Sequence, residues 1–118
     1  MATKRVTGSS YRWNKPSIEV DYEVRFEKVK SEKDTISKKP ETTYHVWVGD
    51  TLVGKVQSGS VASHRKSGRI ITKTSYYTQW GYSLDVKENI WHRELIEYSR
   101  ERATVALLAK AKEEGVLD

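Results

Sequence analysis

The chain has 118 residues, a formal net charge of +5 and no cysteine. That length fits one domain, and the missing thiols exclude a disulfide framework, thiolate zinc, iron–sulfur ligation and a cysteine nucleophile together. No apolar run approaches the roughly 18 residues of a membrane span, and Met1-Ala2-Thr3-Lys4-Arg5 lacks the apolar stretch of a secretory signal, so a cytoplasmic protein without a membrane partner is expected.

The charge is unevenly placed. Residues 1–40 carry 10 basic and 6 acidic side chains, residues 41–80 carry 5 and 2, and residues 81–118 carry 6 and 8. No acid occurs between Asp50 and Asp85, the stretch that holds Lys55, Arg65, Lys66, Arg69 and Lys73. A one-signed stretch of this kind is a local field that favours polyanions.

In chain order, residues 1–15 are polar and without periodicity, and read as a flexible tail on which Tyr11 and Trp13 could serve as anchors. The domain proper is expected over residues 16–118. After Pro16, Ile18, Val20, Tyr22, Val24 and Phe26 alternate with Glu19, Asp21, Glu23, Arg25 and Glu27. Period 2 makes this a strand with one dry face and one wet face. Residues 30–42 are rich in Lys, Ser, Glu and Thr, and read as a loop.

Two β-rich runs follow, Tyr44–Val48 and Thr51–Val56, separated by Gly49-Asp50. A two-residue Gly-Asp connection predicts a hairpin with a type II′ turn. The regular register from that turn sets Val48 opposite Thr51, Trp47 opposite Leu52, Val46 opposite Val53, His45 opposite Gly54 and Tyr44 opposite Lys55. Residues 57–68, Gln-Ser-Gly-Ser-Val-Ala-Ser-His-Arg-Lys-Ser-Gly, read as a flexible connection. The chain turns β-rich again from Arg69 to Tyr77, and Trp80, Tyr82, Leu84 and Val86 alternate with polar residues and Gly81 as a further half-buried strand.

After Asp85 two readings compete. Asp85 and Glu88 have capping-box spacing, and Trp91, Leu95, Tyr98 and Val105 share a helical stripe, which would make one helix from about 87 to 114. Alternatively a turn at Lys87-Glu88-Asn89 leads to a strand over Ile90–Glu97 and a shorter helix capped by Ser99, with Glu101 in its first turn and Gly115 ending it. The second is preferred, because Ile90–Tyr98 is mixed with β-formers and Ser99 restarts the pattern. The fold class is then α+β, an antiparallel sheet of four or five strands packed by one C-terminal helix.

The stretch Tyr98-Ser99-Arg100-Glu101-Arg102-Ala103 through Leu107-Leu108 resembles the strand-to-helix junction of many small bacterial and phage domains. In those domains an aromatic, a Ser or Thr cap and an alanine-bearing helix close a three- or four-stranded sheet. Over residues 70–114 the arrangement also looks like the DNA-binding domains at the amino end of tyrosine-type integrases and in plant Apetala-type factors. The resemblance is one of pattern. It implies a sheet-plus-helix fold and assigns no role to any single residue.

No catalytic or metal motif stands out. His45, His64 and His92 have no metal-ligand spacing, no serine lies in a G-x-S-x-G context, and the glycines form no phosphate-cradling motif. Glu19, Asp21, Glu23 and Glu27 alternate along a wet strand face, where solubility and edge protection account for them. No cofactor is implied, and a non-catalytic protein is expected.

What remains is the segment Ser63–Tyr82. There His64, Arg65, Lys66, Arg69 and Lys73 could attract phosphates, and Tyr76 or Tyr77 could offer a face for base stacking. Trp80 and Tyr82 belong to the core on this reading. Nucleic acid is the leading expected partner. An acidic host protein, bound by a small inhibitor or regulator of the kind phage genomes encode, is the alternative, and a structural or assembly subunit comes third.

Overall fold

The computed structural model describes residues 3–12, 15–33, 40–91 and 94–118. Five strands form one antiparallel sheet in sequential order: β1 (Lys4–Arg12), β2 (Lys15–Lys33), β3 (Pro40–Val48), β4 (Thr51–Ser67) and β5 (Ile70–Ser83). One helix, α1 (Arg100–Glu113), packs against β1, β2, β4 and β5. The fold class expected from the sequence is the one observed. Among the described residues no helix is long and apolar enough to cross a membrane.

The sheet is staggered. β2 pairs with β1 over Lys15–Val24 and with β3 over Arg25–Lys33. β4 pairs with β3 over Thr51–Gln57 and with β5 over Lys55–Ser67. The alternation in β2 does what its period requires, since Val20 and Val24 are buried under the helix and Tyr22 and Phe26 border the same core. Val46, Val53, Val56, Ala103, Leu107, Leu108 and Ala111 complete that core.

Residues 1–15 do not form a tail throughout: Lys4–Arg12 is strand β1, paired with β2 from Lys4↔Val24 to Arg12↔Lys15. Its polar composition hid it, because an edge strand against one helix needs few apolar side chains. Val6 is its buried apolar residue, and Gly8 lies under Val105, whose side chain would stand 3.1 Å from an added Cβ. Trp13 lies outside the described residues. The loop read over 30–42 is likewise shorter, since β2 continues to Lys33 and β3 starts at Pro40; positions 34–39 lie outside the described residues.

The β3–β4 hairpin turns at Gly49-Asp50, with Gly49 at φ 58°. Val48↔Thr51 and Trp47↔Leu52 pair as expected, and then the register slips. Val46 faces Gly54, His45 faces Lys55 and Tyr44 faces Val56. The regular register would have driven the Lys55 ammonium into the core beside Tyr44, a costly burial of charge. The bulge sends Lys55 to the opposite face and lets Val53 and Val56, three residues apart, both be buried.

Residues 57–68 are not a flexible connection either. They are the second half of β4, paired with β5 up to a tight turn at Gly68-Arg69, where Gly68 takes φ 64°. The small residues that suggested a loop are required by close packing. Ser58 and Ser60 are buried, and Ser58 Oγ accepts a hydrogen bond from the Thr42 N–H at 2.9 Å. Gly59 lies beneath Leu95, whose Cδ1 would sit 2.5 Å from an added Cβ.

Between β5 and α1 the chain crosses the face of the sheet opposite the helix. Asp85 and Glu88 close a turn there and cap nothing. Asp85 Oδ1 accepts from the Lys87 N–H at 2.9 Å, and Ser83 Oγ donates to Glu88 Oε2 at 3.2 Å. Positions 92 and 93 lie outside the described residues; among the described residues of Ile90–Glu97 the expected strand is absent, and Glu97 bridges to Trp80 by two backbone hydrogen bonds of 2.8 and 2.9 Å. Ile90 and Leu95 are the reason. Both are buried, and they pack where Gly81 and Gly59 leave room, a spacing that neither strand nor helix periodicity provides.

Helix α1 starts and stops where the sequence predicts. Ser99 Oγ accepts from the Arg102 N–H at 3.1 Å, and Glu101 lies in the first turn. At the other end Gly115 and Val116 donate back to the Lys112 and Ala111 carbonyls, the paired bonds of a Schellman stop.

Candidate nucleic-acid interface

β3 accompanies β4 only as far as Gln57, so beyond Ser58 strands β4 and β5 continue as a two-stranded ribbon. From Val61 to Ser67 it extends about 20 Å at the rise of a strand. Its register pairs Val61↔Tyr77, Ala62↔Tyr76, Ser63↔Ser75, His64↔Thr74 and Arg65↔Lys73, after which a bulge sets Lys66 opposite Ile71.

Because side chains alternate, the seven residues singled out from the sequence do not gather on one face. Ala62, His64 and Tyr76 follow the parity of Ser58 and Trp80 and belong to the helix side. Arg65, Lys73 and Tyr77 belong to the opposite side. His64 is exposed, and its Nδ1 shares a 3.0 Å hydrogen bond with the Thr74 hydroxyl across the pair. Arg65 and Lys73 are exposed and stand directly opposite each other. Arg69 is exposed at the turn beside Ile70, itself 71% exposed. The side chain of Lys66 lies outside the described residues.

Of the two tyrosines, Tyr76 is half-buried and Tyr77 is 41% exposed. Tyr77 is therefore the ring that can meet a base, on the same face as Arg65 and Lys73. Trp80 and Tyr82 are half-buried and pack against the core. Trp80 stacks on Tyr44 with ring centroids 6.2 Å apart, and burial pushes the Tyr82 phenol up from its ordinary range.

The remaining candidates fall into structural roles. Glu19, Asp21 and Glu23 are exposed on the wet face of β2, and Asp21 binds Arg5 at 2.7 Å. The hydrogen bond from that guanidinium, reinforced by charge attraction, raises the Arg5 pKa further. Glu27 accepts from Trp47 Nε1 at 3.3 Å and lies 3.6 Å from His45 Nδ1. Among the described residues no group of three His, Asp or Glu side chains is placed to hold a metal ion.

Two features were not foreseen. Arg100 lies over the rings of Phe26 and Tyr44, at 4.2 and 5.0 Å, locking the helix start onto the aromatic row Phe26–Tyr44–Trp80. Lys55 is buried on the face opposite the helix. Neither was accessible to local pattern, since strands distant in sequence create both environments. Compared with models of protein families, with curated proteins and with solved structures, the chain matches none.

Proposed function

We propose that the protein is a non-catalytic binding protein whose β4–β5 ribbon takes a polyanion, nucleic acid first among them. The observation that carries this reading is the direct pairing of Arg65 with Lys73 on an exposed ribbon whose sequence contains no acid. Like charges opposite one another on a ladder repel, and a phosphate that bridges the two would relieve that repulsion. Arg69 at the tip and Tyr77 on the same face as the pair extend the surface. A two-stranded ribbon also fits the width of a DNA major groove.

The test is a binding series over duplex DNA, single-stranded DNA and RNA at low salt. Binding of at least one of them tighter than about 10 µM, a moderate affinity on the usual scale, is the expected result. Tyr77→Ala weakens single-stranded binding by about 1–3 kcal/mol if a base stacks there. Absence of binding to all three ends this reading.

A protein partner is the second reading. It is favoured by Trp91, Ile96 and Tyr98, large apolar side chains that are 59%, 64% and 72% exposed in the segment before and at the start of α1. Recovery of one stoichiometric protein from a host lysate, insensitive to nuclease, would support it over the first.

A further inference from the structure

The sheet has two outer edges, β1 and β5. β1 runs beside α1, with Val105 against Gly8, and it carries Lys4 and Arg5, ion-paired to Glu101 and Asp21. A helix alongside and charged side chains are common protections of an edge. β5 is different. At Trp80 its edge is occupied by the chain's own Glu97, through two backbone hydrogen bonds of 2.8 and 2.9 Å. Those bonds fix the parity of the strand. The Trp80 N–H and C=O both point outward, and along a regular antiparallel ladder so do those of Thr78, Tyr76 and Thr74. The register with β4 is unbroken from Ser83 to Lys73. Among the described residues no backbone group pairs with Thr78, Tyr76 or Thr74 from the outer side. Lys73, Thr74, Ser75 and Tyr77 are exposed, and Tyr76 and Thr78 are half-buried. Residues 73–78 are mostly strand formers, with neither an acid nor a proline among them to block pairing.

A row of unpaired donors and acceptors is a template for a further strand. Glu97 uses that template at one position, after which the chain leaves it for α1. Charge decides what can occupy the rest. Lys73 lies on the edge strand, Arg65 directly opposite it and Arg69 at the turn, and no acid occurs between Asp50 and Asp85. A second copy of this chain would bring two such ribbons side by side against their mutual repulsion. Phosphates offer acceptors to the outward N–H groups and no donors to the outward carbonyls. We propose that the β5 edge binds an extended acidic segment of a protein partner, added as a further strand along Thr74–Thr78. The backbone of that segment pairs with Thr74, Tyr76 and Thr78, and its carboxylates lie near Lys73 and Arg69. The site consists of the backbone edge of the ribbon, and it stands whether or not the side chains of the ribbon face take nucleic acid.

The experiment follows amide shifts and hydrogen exchange of the ¹⁵N-labelled protein, titrated with a short, end-blocked peptide that alternates glutamate and valine. The same peptide with lysine in place of glutamate is the charge control, and single-stranded DNA is the control for the ribbon face. Saturable binding of the acidic peptide is expected, with new protection from exchange at Thr74, Tyr76 and Thr78. Ser75 and Tyr77, whose N–H groups already face β4, should change little. The basic peptide is expected to bind at least tenfold more weakly. Thr74→Pro removes an outward N–H and no bond to β4, so the ribbon stays paired, and the acidic peptide should bind it at least tenfold more weakly. Lys73→Glu is the second variant, should Thr74→Pro fail to fold, and is expected to weaken the acidic peptide at least threefold. The proposal is overturned by absence of saturable shifts with the acidic peptide up to about 5 mM, beyond the millimolar range of weak sites. It is equally overturned by equal affinity for the two peptides, by binding without protection at the three amides, or by wild-type affinity in a folded variant. Protection of those amides by single-stranded DNA and not by the peptide would give the edge to nucleic acid and overturn it too. Protection by the peptide in a protein that binds no nucleic acid would uphold the edge site and end the nucleic-acid reading alone.

Discussion

Gly54 is the position where the smallest chemical change has the largest expected effect. A Cβ there would lie 2.3 Å from the Ser83 carbonyl oxygen, 2.9 Å from Leu107 Cδ1 and 3.0 Å from Leu84 Cα, whereas ordinary contact begins at 3.4 Å. Two of the three obstacles are backbone of the neighbouring chain segment, so no rotamer change relieves the overlap. To admit Gly54→Ala, β5 must retreat from β4 near Lys55↔Ser83, giving up about one ladder hydrogen bond worth about 1 kcal/mol. Overpacking against Leu107 adds about 1–3 kcal/mol, and the stiffer unfolded chain returns about 0.5 kcal/mol. The net loss is roughly 2.5 kcal/mol. Gly49→Ala is the comparison, because Gly49 has open space around it but a φ of 58°; its expected cost is about 1 kcal/mol. Urea unfolding at equilibrium, with the slope checked for constancy, measures both. If Gly54→Ala costs no more than Gly49→Ala, the bulge and the packing derived from it are wrong.

Val24→Asp should unfold or aggregate the protein, because Val24 is fully buried beneath α1, whereas Glu23→Lys on the exposed face should stay within about 0.5 kcal/mol of wild type in the same assay. Ser99→Ala should cost about 1 kcal/mol through loss of the bond from the Arg102 N–H. Lys4 donates to Glu101 at 2.7 Å and, with Glu101's own backbone N–H, holds that carboxyl below its usual range. A depressed folded pKa contributes stability above the unfolded value and loses it as pH falls through the folded one. Glu101→Gln should therefore cost about 0.5 kcal/mol at pH 7, as expected for an exposed pair near a helix start, and the difference should shrink as pH falls below the usual glutamate value of about 4.3 and vanish once pH is below the lowered folded value.

Local pattern reached the elements whose chemistry is local. The alternation of β2, the Gly49-Asp50 turn, the Ser99 cap and the Gly115 stop are each set by neighbours within a few residues, and all are found in place. What escaped it depends on partners far along the chain. β1 is polar because an edge strand under one helix buries, among its described side chains, little beyond Val6, and β4 from Ser58 onward looks like a loop because Leu95 demands Gly59 and the helix side demands Ser58 and Ser60. The ribbon site was legible as composition but not as geometry. Strand parity separates His64 and Tyr76 from Arg65, Lys73 and Tyr77, and only the register reveals that Arg65 and Lys73 stand opposite each other. Lys55 could not be singled out, since the bulge that redirects it arises from the competing burial of Val53 and Val56.

The salt dependence of nucleic-acid affinity, for the wild type and for a variant with Arg65, Lys66 and Arg69 all replaced by alanine, tests the ribbon most directly. Phosphates neutralised by the ribbon release counterions, so the logarithm of affinity falls with the logarithm of salt by roughly 0.9 for each phosphate on duplex DNA. The three substitutions lie on the exposed ribbon and should leave the melting temperature unchanged while flattening the slope by up to about three units. An equal slope in wild type and variant, with both folded, would contradict the assignment of the ribbon as the binding surface.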